Sequence, residues 1–367
     1  MDRRARRAVP LLAAALTALV VASVLFLRSE LRPPAAGATP SPTPIPRLVG
    51  TYTPTFDFLD EAHGWAVVLD WHGPEQRFWI FATTDGAVHW RRLFTGDGGG
   101  GRTYIHFFDL RHGFAYAGKL YRTTDAGATW LAVQTPSDGP YFTFATATRG
   151  WFMPAVGAVP PHLYTTADGG VTWSAVPAPP PPGTSAELAF RADGEGWLGA
   201  GLESPRVYLT KDGGLSWRAI ALPAPEAGFS IYITSVRLLP GHAVLALVGS
   251  PAGFLGGYWS DDLGANWVQI NPLPQPEWLA DASFVDDYRW WVARYGFLYK
   301  TSTAGVDWER VPVQPLPGGW NIQPVHVIDA NHGWWTMIET TDSRDSALMM
   351  TSDGGANWRA VAMPTPG

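Results

Sequence analysis

The chain has 367 residues, of which 46% are hydrophobic and 16% are charged, so it holds enough apolar material for a large folded core. It contains no cysteine, which excludes disulfide bonds, thiolate metal sites and lipidation at a cysteine. The formal net charge is −6, but residues 1–35 carry six arginines and only two acids, so the remainder carries −10. This balance argues against nucleic acid or anionic lipid as the main ligand of that larger part.

The first 32 residues predict a membrane anchor. Four arginines at positions 3, 4, 6 and 7 precede an uncharged run, 8–27, whose 20 residues would span about 30 Å of bilayer as a helix. The arginines predict a cytoplasmic N-terminus. We expect an uncleaved signal anchor, with cleavage near residues 35–38 as the alternative. Residues 33–46 hold six prolines and predict an extended linker, which lifts an extracytoplasmic domain, 47–367, off the membrane.

An octapeptide with the frame hydroxyl-x-Asp-x-Gly-x-polar-Trp recurs seven times after this linker. Successive copies lie 40 to 50 residues apart, a spacing typical of one four-stranded propeller blade. Seven copies therefore predict an all-β fold, a seven-bladed β-propeller of four-stranded blades. The copies close at Trp90, Trp130, Trp173, Trp217, Trp267, Trp308 and Trp358.

Each octapeptide predicts a tight hairpin turn. Its Asp carboxylate can accept hydrogen bonds from backbone N–H groups two residues on, its Gly supplies a positive φ, and its Trp anchors the next strand. Two copies depart from the frame: blade one has Ala87 in place of Gly, and blade six has Thr303 in place of Asp, so its turn must use a weaker hydroxyl bond. The other six copies carry Asp85, Asp125, Asp168, Asp212, Asp262 and Asp353.

Ahead of each octapeptide lie a short alternating run, a Gly-aromatic pair such as Gly64-Trp65 or Gly333-Trp334, and a second apolar run. With the strand that begins after the Trp, these pieces predict four strands per blade. Blades five and six are the least regular. For ring closure, we expect residues 47–52 to pair with an outer strand of the last blade.

The octapeptide resembles the Asp-box, or BNR, repeat, and its pairing with Gly-Trp resembles the photosystem II stability/assembly-factor family of seven-bladed propellers. The resemblance covers residues 50–363. It implies that the Asp and Trp residues of the box are structural, on the face opposite the usual ligand site. It also implies a role in assembling or stabilising a membrane complex, without a cofactor.

A carbohydrate-active propeller is the alternative, because sialidases and glycosidases share the box. A sialidase needs converging arginines for its anionic sugar, and the Phe-Arg-Ile-Pro stretch of that family is absent here. A glycoside hydrolase needs two carboxylates across one cleft, which the sequence does not pair. Histidines 63, 112 and 332 precede Gly-aromatic pairs, so we expect them in turns and predict no metal site.

We expect a non-catalytic, monomeric scaffold that binds a protein partner of a membrane complex, or alternatively a glycan, but no nucleic acid. The partner would meet the loop face, formed by the loops between strands two and three and between blades. Aromatic side chains in stiff loops are good contact anchors. The predicted contact residues are Trp71, Phe254, Trp278, Trp320, Arg294 and Arg344.

Overall fold

The computed structural model describes residues 45–50, 52–70, 76–99, 103–137, 141–154, 162–181, 188–199, 206–223, 232–249, 255–271, 282–294, 296–313, 319–340 and 345–366. They belong to one compact unit that begins at Ile45. The predicted anchor, and the linker up to residue 44, lie outside this described part. Within it, the structure holds no helix of the length and hydrophobicity that a membrane crossing requires.

The described residues form seven four-stranded antiparallel sheets, each with its strands in chain order, which confirms the predicted seven-bladed propeller. Blades one to three consist of β1 (Tyr52–Phe58), β2 (Gly64–Asp70), β3 (Arg77–Thr83), β4 (Arg91–Asp97), β5 (Thr103–Phe107), β6 (Gly113–Ala117), β7 (Leu120–Thr123), β8 (Leu131–Val133), β9 (Phe142–Phe144), β10 (Gly150–Phe152), β11 (Tyr164–Thr166) and β12 (Ser174–Ala175).

Blades four to seven continue the same pattern. They consist of β13 (Ala189–Phe190), β14 (Gly196–Gly199), β15 (Arg206–Thr210), β16 (Arg218–Ala221), β17 (Tyr232–Leu238), β18 (Val244–Gly249), β19 (Leu255–Ser260), β20 (Val268–Gln269), β21 (Ala282–Phe284), β22 (Trp290–Arg294), β23 (Phe297–Thr301), β24 (Glu309–Val311), β25 (Trp320–Val327), β26 (Gly333–Glu339), β27 (Ser346–Thr351) and β28 (Arg359–Val361).

The hydrophobic core is divided among the blade interfaces. Each of seven buried clusters combines residues of two neighbouring blades, and together the clusters run once round the ring. First strands of neighbouring blades contact each other, as β1 contacts β5, so they line the central channel. Each sheet is therefore buried on both faces, which explains why the second strands, such as Gly64–Asp70, are almost continuously apolar.

The Gly-aromatic pair builds these interfaces. A Cβ on Gly196 would lie 2.2 Å from the ring of Phe190, the last residue of the first strand in the same blade. That ring in turn stacks on Trp151 of the preceding blade at 4.2 Å. The same arrangement recurs with Phe58, Phe107 and Phe144, which stack on Trp334, Trp65 and Phe114 at 3.9, 3.6 and 3.8 Å. Glycine is thus needed for close approach of an aromatic ring.

The ring closes without strand exchange. Leu48 forms an antiparallel bridge with Ser346, the first residue of the third strand of blade seven, through backbone hydrogen bonds of 2.8 and 2.9 Å. Residues 47–52 were expected to pair with an outer strand of the last blade. The pairing consists of one bridge, from Leu48 to the edge of β27 that also pairs with β28. After β28, Ala362 donates its N–H to Ala87 O and accepts the Trp90 indole N–H at 2.9 Å, so the C-terminal tail ties blade seven to blade one.

Candidate binding surfaces

The octapeptide turns form one rim of the propeller and show how the repeat works. In blade three the buried Thr166 hydroxyl donates to Asp168 Oδ1 at 2.8 Å and accepts the Gly170 N–H at 2.9 Å. Asp168 Oδ1 accepts the Thr172 N–H at 2.9 Å, and Oδ2 accepts the Thr172 hydroxyl at 2.6 Å. The hydroxyl at position one and the Asp carboxylate thus together accept the hydrogen bonds that hold the turn.

This geometry corrects the predicted bonding. The Asp168 carboxylate accepts the backbone N–H four residues on, that of Thr172, whereas the N–H two residues on, that of Gly170, donates to the Thr166 hydroxyl. The reason is that positions four and five both have positive φ, for example Gly169 at 72° and Gly170 at 83°. Two successive left-handed residues bring the seventh N–H back to the carboxylate. Ala87 adopts this conformation too, with φ 67°.

These hydrogen bonds keep the octapeptide carboxylates ionised. The Thr172 side chain, followed by its N–H, lowers the pKa of Asp168 from 3.8 to about 2. The pKa of Asp212 is lowered to about 2 chiefly by the Ser216 hydroxyl, and that of Asp85 chiefly by the His89 N–H. A general acid needs a raised pKa. The geometry of these carboxylates therefore fits a structural use.

Blade six bonds its turn differently, as its sequence predicts. Thr303 Oγ1 accepts the Asp307 N–H at 2.9 Å and lies 3.3 Å from Thr301 Oγ1. Position seven, which elsewhere carries a donor to the Asp, is itself an acid here. The two replacements go together. The Thr303 hydroxyl has no second oxygen that could accept a hydrogen bond from a donor at position seven, and Asp307 at position seven supplies no such donor.

A second set of turns joins strands one and two on the same rim. In six blades the N–H of octapeptide position four donates to a carbonyl of this turn, as Gly354 donates to Asn331 O at 2.9 Å. The predicted turn histidines lie here: the Asp329 carboxylate accepts the His332 N–H at 2.8 Å, and His332 Nδ1 lies 2.9 Å from the other oxygen. Asp60 with His63 and Asp109 with His112 repeat the pattern. Among the described residues no three His, Asp or Glu side chains converge on a metal position.

Polar side chains near the ends of the first strands, which the sequence pattern had not predicted, connect neighbouring blades at the channel. The penultimate residue of a first strand bonds the backbone of the next blade: Asp57 Oδ2 accepts the Phe107 N–H at 2.7 Å, and Ser283 Oγ accepts the Val327 N–H at 2.9 Å. His326 Nε2 lies 2.9 Å from Phe58 O. These polar side chains tie the inner strands together. In the sequence, a polar residue directly before the Phe or Val that ends a first strand would have indicated these contacts.

Most of the predicted loop-face residues lie outside the described part of the chain, namely Trp71, Phe254, Trp278 and Arg344. Arg294 ends β22, and only its backbone is described. Trp320 was expected in a connection but begins β25, where it is 7% exposed and packs in the cluster between blades six and seven. The Arg47 guanidinium lies 4.9 Å above its ring, so Arg47 is the exposed group at this point of the loop face.

Comparison with known proteins adds a fold-level likeness. No family model matches the chain, and no curated protein matches it. A solved structure of YCF48 bound to a D1 peptide is 19% identical, covers 91% of this chain and 100% of its own, and has a TM-score of 0.55. YCF48 from Cyanidioschyzon merolae is 16% identical over 85% of this chain and 97% of its own, also at 0.55. A GH74 xyloglucanase from Xanthomonas campestris is 13% identical, covers 83% and 72%, and has a TM-score of 0.46.

The two YCF48 structures confirm the resemblance read from the octapeptides, since YCF48 is a photosystem II assembly factor with a seven-bladed propeller. At 19% and 16% identity the likeness shows the fold alone. The TM-score of 0.46 for the xyloglucanase does not indicate a shared activity.

Proposed function

We propose that this protein is a non-catalytic scaffold that binds a polypeptide segment of a partner on its loop face. The observation that carries the proposal is the likeness, over 91% of this chain, to a propeller whose structure holds a D1 peptide. A rigid ring with aromatic stacks between blades suits such a role, because a pre-organised surface loses little entropy on binding.

The hydrogen bonds of Asp57 and of the octapeptide Asp residues support a structural use of these carboxylates over hydrolysis. A glycoside hydrolase requires two carboxyl groups facing one cleft, one of them with a raised pKa. Asp57 is the one acid that is buried among the described residues, and one of its carboxylate oxygens accepts the Phe107 N–H. The octapeptide Asp residues accept two or more hydrogen bonds each and have lowered pKa values.

We further propose that residues 8–27 tether the propeller to a membrane, with the N-terminus in the cytoplasm and the propeller outside. Support comes from the 20-residue uncharged run and the preceding arginines. The partner would then be a membrane-complex protein that presents a segment near the bilayer.

The test is affinity purification of the full-length protein from its native membranes in mild detergent, with co-purifying proteins quantified by mass spectrometry. We expect a stoichiometric membrane-complex partner that is lost when Trp278→Ala and Arg344→Ala are combined. The matched control is Leu131→Ala with Val268→Ala, which removes two exposed side chains from the fourth strands β8 and β20. Trp320→Ala is unsuitable, because that side chain is in the core.

Equal loss of the partner in the control pair would contradict the assignment of the loop face. If no partner co-purifies and the protein instead cleaves fluorogenic glycosides or binds a glycan array, the carbohydrate-active alternative replaces this proposal.

A further inference from the structure

The face that carries the octapeptides, together with the turns between strands one and two, is called here the octapeptide face. Position six of the octapeptide is apolar in all seven copies, although it points away from the core. Four of these side chains are 40–57% exposed, and Leu110 and Tyr288 in the neighbouring turns are 46% and 48% exposed. The four are Val88, Val171, Leu215 and Val306. This face therefore offers one apolar position per blade, which a partner that is also recognised by charge can contact.

The same face carries the net charge of the propeller. Its fourteen turns contain sixteen Asp or Glu residues and five Lys or Arg residues, a net −11, against −10 for the whole of residues 45–367. The positive and negative charges of the other strands and loops therefore nearly cancel. An acidic surface of this kind disfavours anionic lipid and nucleic acid, and it would repel the same face of a second copy.

A groove of about 680 Å³ opens on this face between blades six and seven. Its volume is in the range of ligand sites. Trp291, Lys300, Asp307 and Asn331 line it, among others. Lys300 Nζ already has partners, since it lies 3.7 Å from Glu309 Oε2, 3.5 Å from Gly354 O and 5.6 Å above the Trp291 ring.

Asp307 differs from the other charged groups of the groove. Across the described residues its carboxylate has neither a hydrogen-bond nor an ion-pair partner, and only its N–H is bonded, to Thr303. In five of the other six turns the position-seven side chain donates a hydrogen bond to the Asp, and in blade one His89 lies at hydrogen-bond distance from it. The break in the repeat thus leaves an uncommitted negative charge beside a groove and beside the exposed Val306.

We propose that the octapeptide face is a second docking surface, for a basic polypeptide segment with apolar side chains. A lysine or arginine of that segment enters the groove between blades six and seven and pairs with Asp307, while its apolar neighbours contact Val306 and Tyr288. The surface is opposite the loop face, so this interaction is independent of the function proposed above.

The experiment uses the full chain in neutral detergent and fluorescence anisotropy with a labelled Lys/Leu/Gly peptide. We expect saturable binding that weakens as salt is raised, and much weaker binding of the matched Glu/Leu/Gly peptide. Asp307→Lys should weaken the Lys peptide about fivefold or more, as expected for replacing a partly exposed ion pair by repulsion. Asn331→Asp, which adds a second carboxylate to the groove, should tighten it.

Asp97→Lys is the matched control, because it makes the same charge change at an exposed residue on the opposite face. Equal weakening by Asp97→Lys and Asp307→Lys, or equal affinity for the Glu peptide, would overturn the proposal. So would an unchanged affinity in both groove variants. If Asp307→Lys lowers the melting temperature, Asn331→Asp decides, since its predicted effect is a gain. The pair Trp278→Ala with Arg344→Ala should leave probe binding unchanged, which separates this proposal from the loop-face function.

Discussion

Thr210 illustrates how much one hydroxyl contributes to an octapeptide turn. It is 1% exposed, donates to Asp212 Oδ1 at 2.7 Å and accepts the Gly214 N–H at 2.9 Å. Thr210→Val keeps the shape but leaves the Gly214 N–H without its acceptor. We expect the free energy of unfolding to fall by about 1–3 kcal/mol, the cost of a buried unsatisfied donor. Denaturant unfolding measures it.

Thr129→Val is the control for this substitution. Thr129 is exposed and gives its hydroxyl to Asp125 on the surface of the turn, at 2.6 Å. Its loss should cost clearly less, because water can replace an exposed hydrogen bond. Equal losses for the two variants would mean that burial of the first hydroxyl does not matter.

Gly196 tests the stacking between blades. A Cβ there would meet the Phe190 ring at 2.2 Å, whereas a Cβ on Gly333 would lie 3.1 Å from Val327 Cγ2 and 3.4 Å from His326 O. Gly196→Ala should therefore destabilise by about 1–3 kcal/mol through overpacking, and Gly333→Ala by less. Thermal unfolding of the two variants provides the comparison. A smaller effect at Gly196 would show that the Phe190 ring moves aside at little cost.

At the scale of the element, blade six offers a repair experiment. Thr303→Asp alone would place a carboxylate beside Asp307, so repulsion should cancel most of its gain. Thr303→Asp with Asp307→Asn restores the arrangement of the last blade, in which the Asn357 side chain donates to Asp353 at 2.8 Å. We expect the double variant, and not the single one, to raise the melting temperature at neutral pH. A gain in the single variant would contradict the account of the turn.

The same turns predict the acid response of the fold. The pKa of Asp85, Asp168 and Asp212 is lowered from 3.8 to about 2 by hydrogen bonds. A lowered folded-state pKa gives stability that is fully present above about pH 3.8 and is lost as pH falls through about 2. Because these groups are exposed, each contributes modestly. We expect the melting temperature to fall between pH 4 and 2, with Asp212→Asn reducing the slope.

Much of each blade could be predicted from the sequence because its signal is local. The octapeptides fix hairpins by bonds within eight residues, so the blade count, and the hydroxyl bond in the turn of blade six, followed from their spacing and composition. The partner of each Gly-aromatic pair was missed, because it depends on Phe residues such as Phe190 in another strand and on the preceding blade. Trp320 was placed in a connection because proline and glycine before it resemble a loop, whereas its burial comes from tertiary packing.

At the scale of the whole molecule, closure depends on few residues at the two ends of the chain. Phe58 stacks on Trp334 at 3.9 Å, and Arg92 Nη1 donates to Pro366 O at 2.9 Å. Interface seven-to-one is thus built like the others, but its two blades are far apart in sequence. Joining them costs loop-closure entropy, which local contacts cannot offset until the other blades have formed.

The N-terminal segment before β1 gives a sharp test of closure. Leu48 is 2% exposed in the cluster between blades seven and one, its backbone bridges Ser346, and the Gly50 N–H donates to Asp345 Oδ1 at 3.1 Å. Chain 45–367 should therefore keep the melting temperature of the full chain and be soluble and monomeric. Chain 51–367 should lose about 2–4 kcal/mol, from one buried leucine and its hydrogen bonds.

Thermal unfolding and size-exclusion chromatography of the two shortened chains distinguish the outcomes. Aggregation of chain 45–367 would mean that residues 1–44 belong to the folded unit. Equal stability of the two chains would mean that the bridge at Leu48 does not help to close the ring. If instead chain 51–367 unfolds in two steps while chain 45–367 unfolds in one, the bridge also makes blades one and seven cooperative with the rest, because an open ring lets its terminal blades unfold separately.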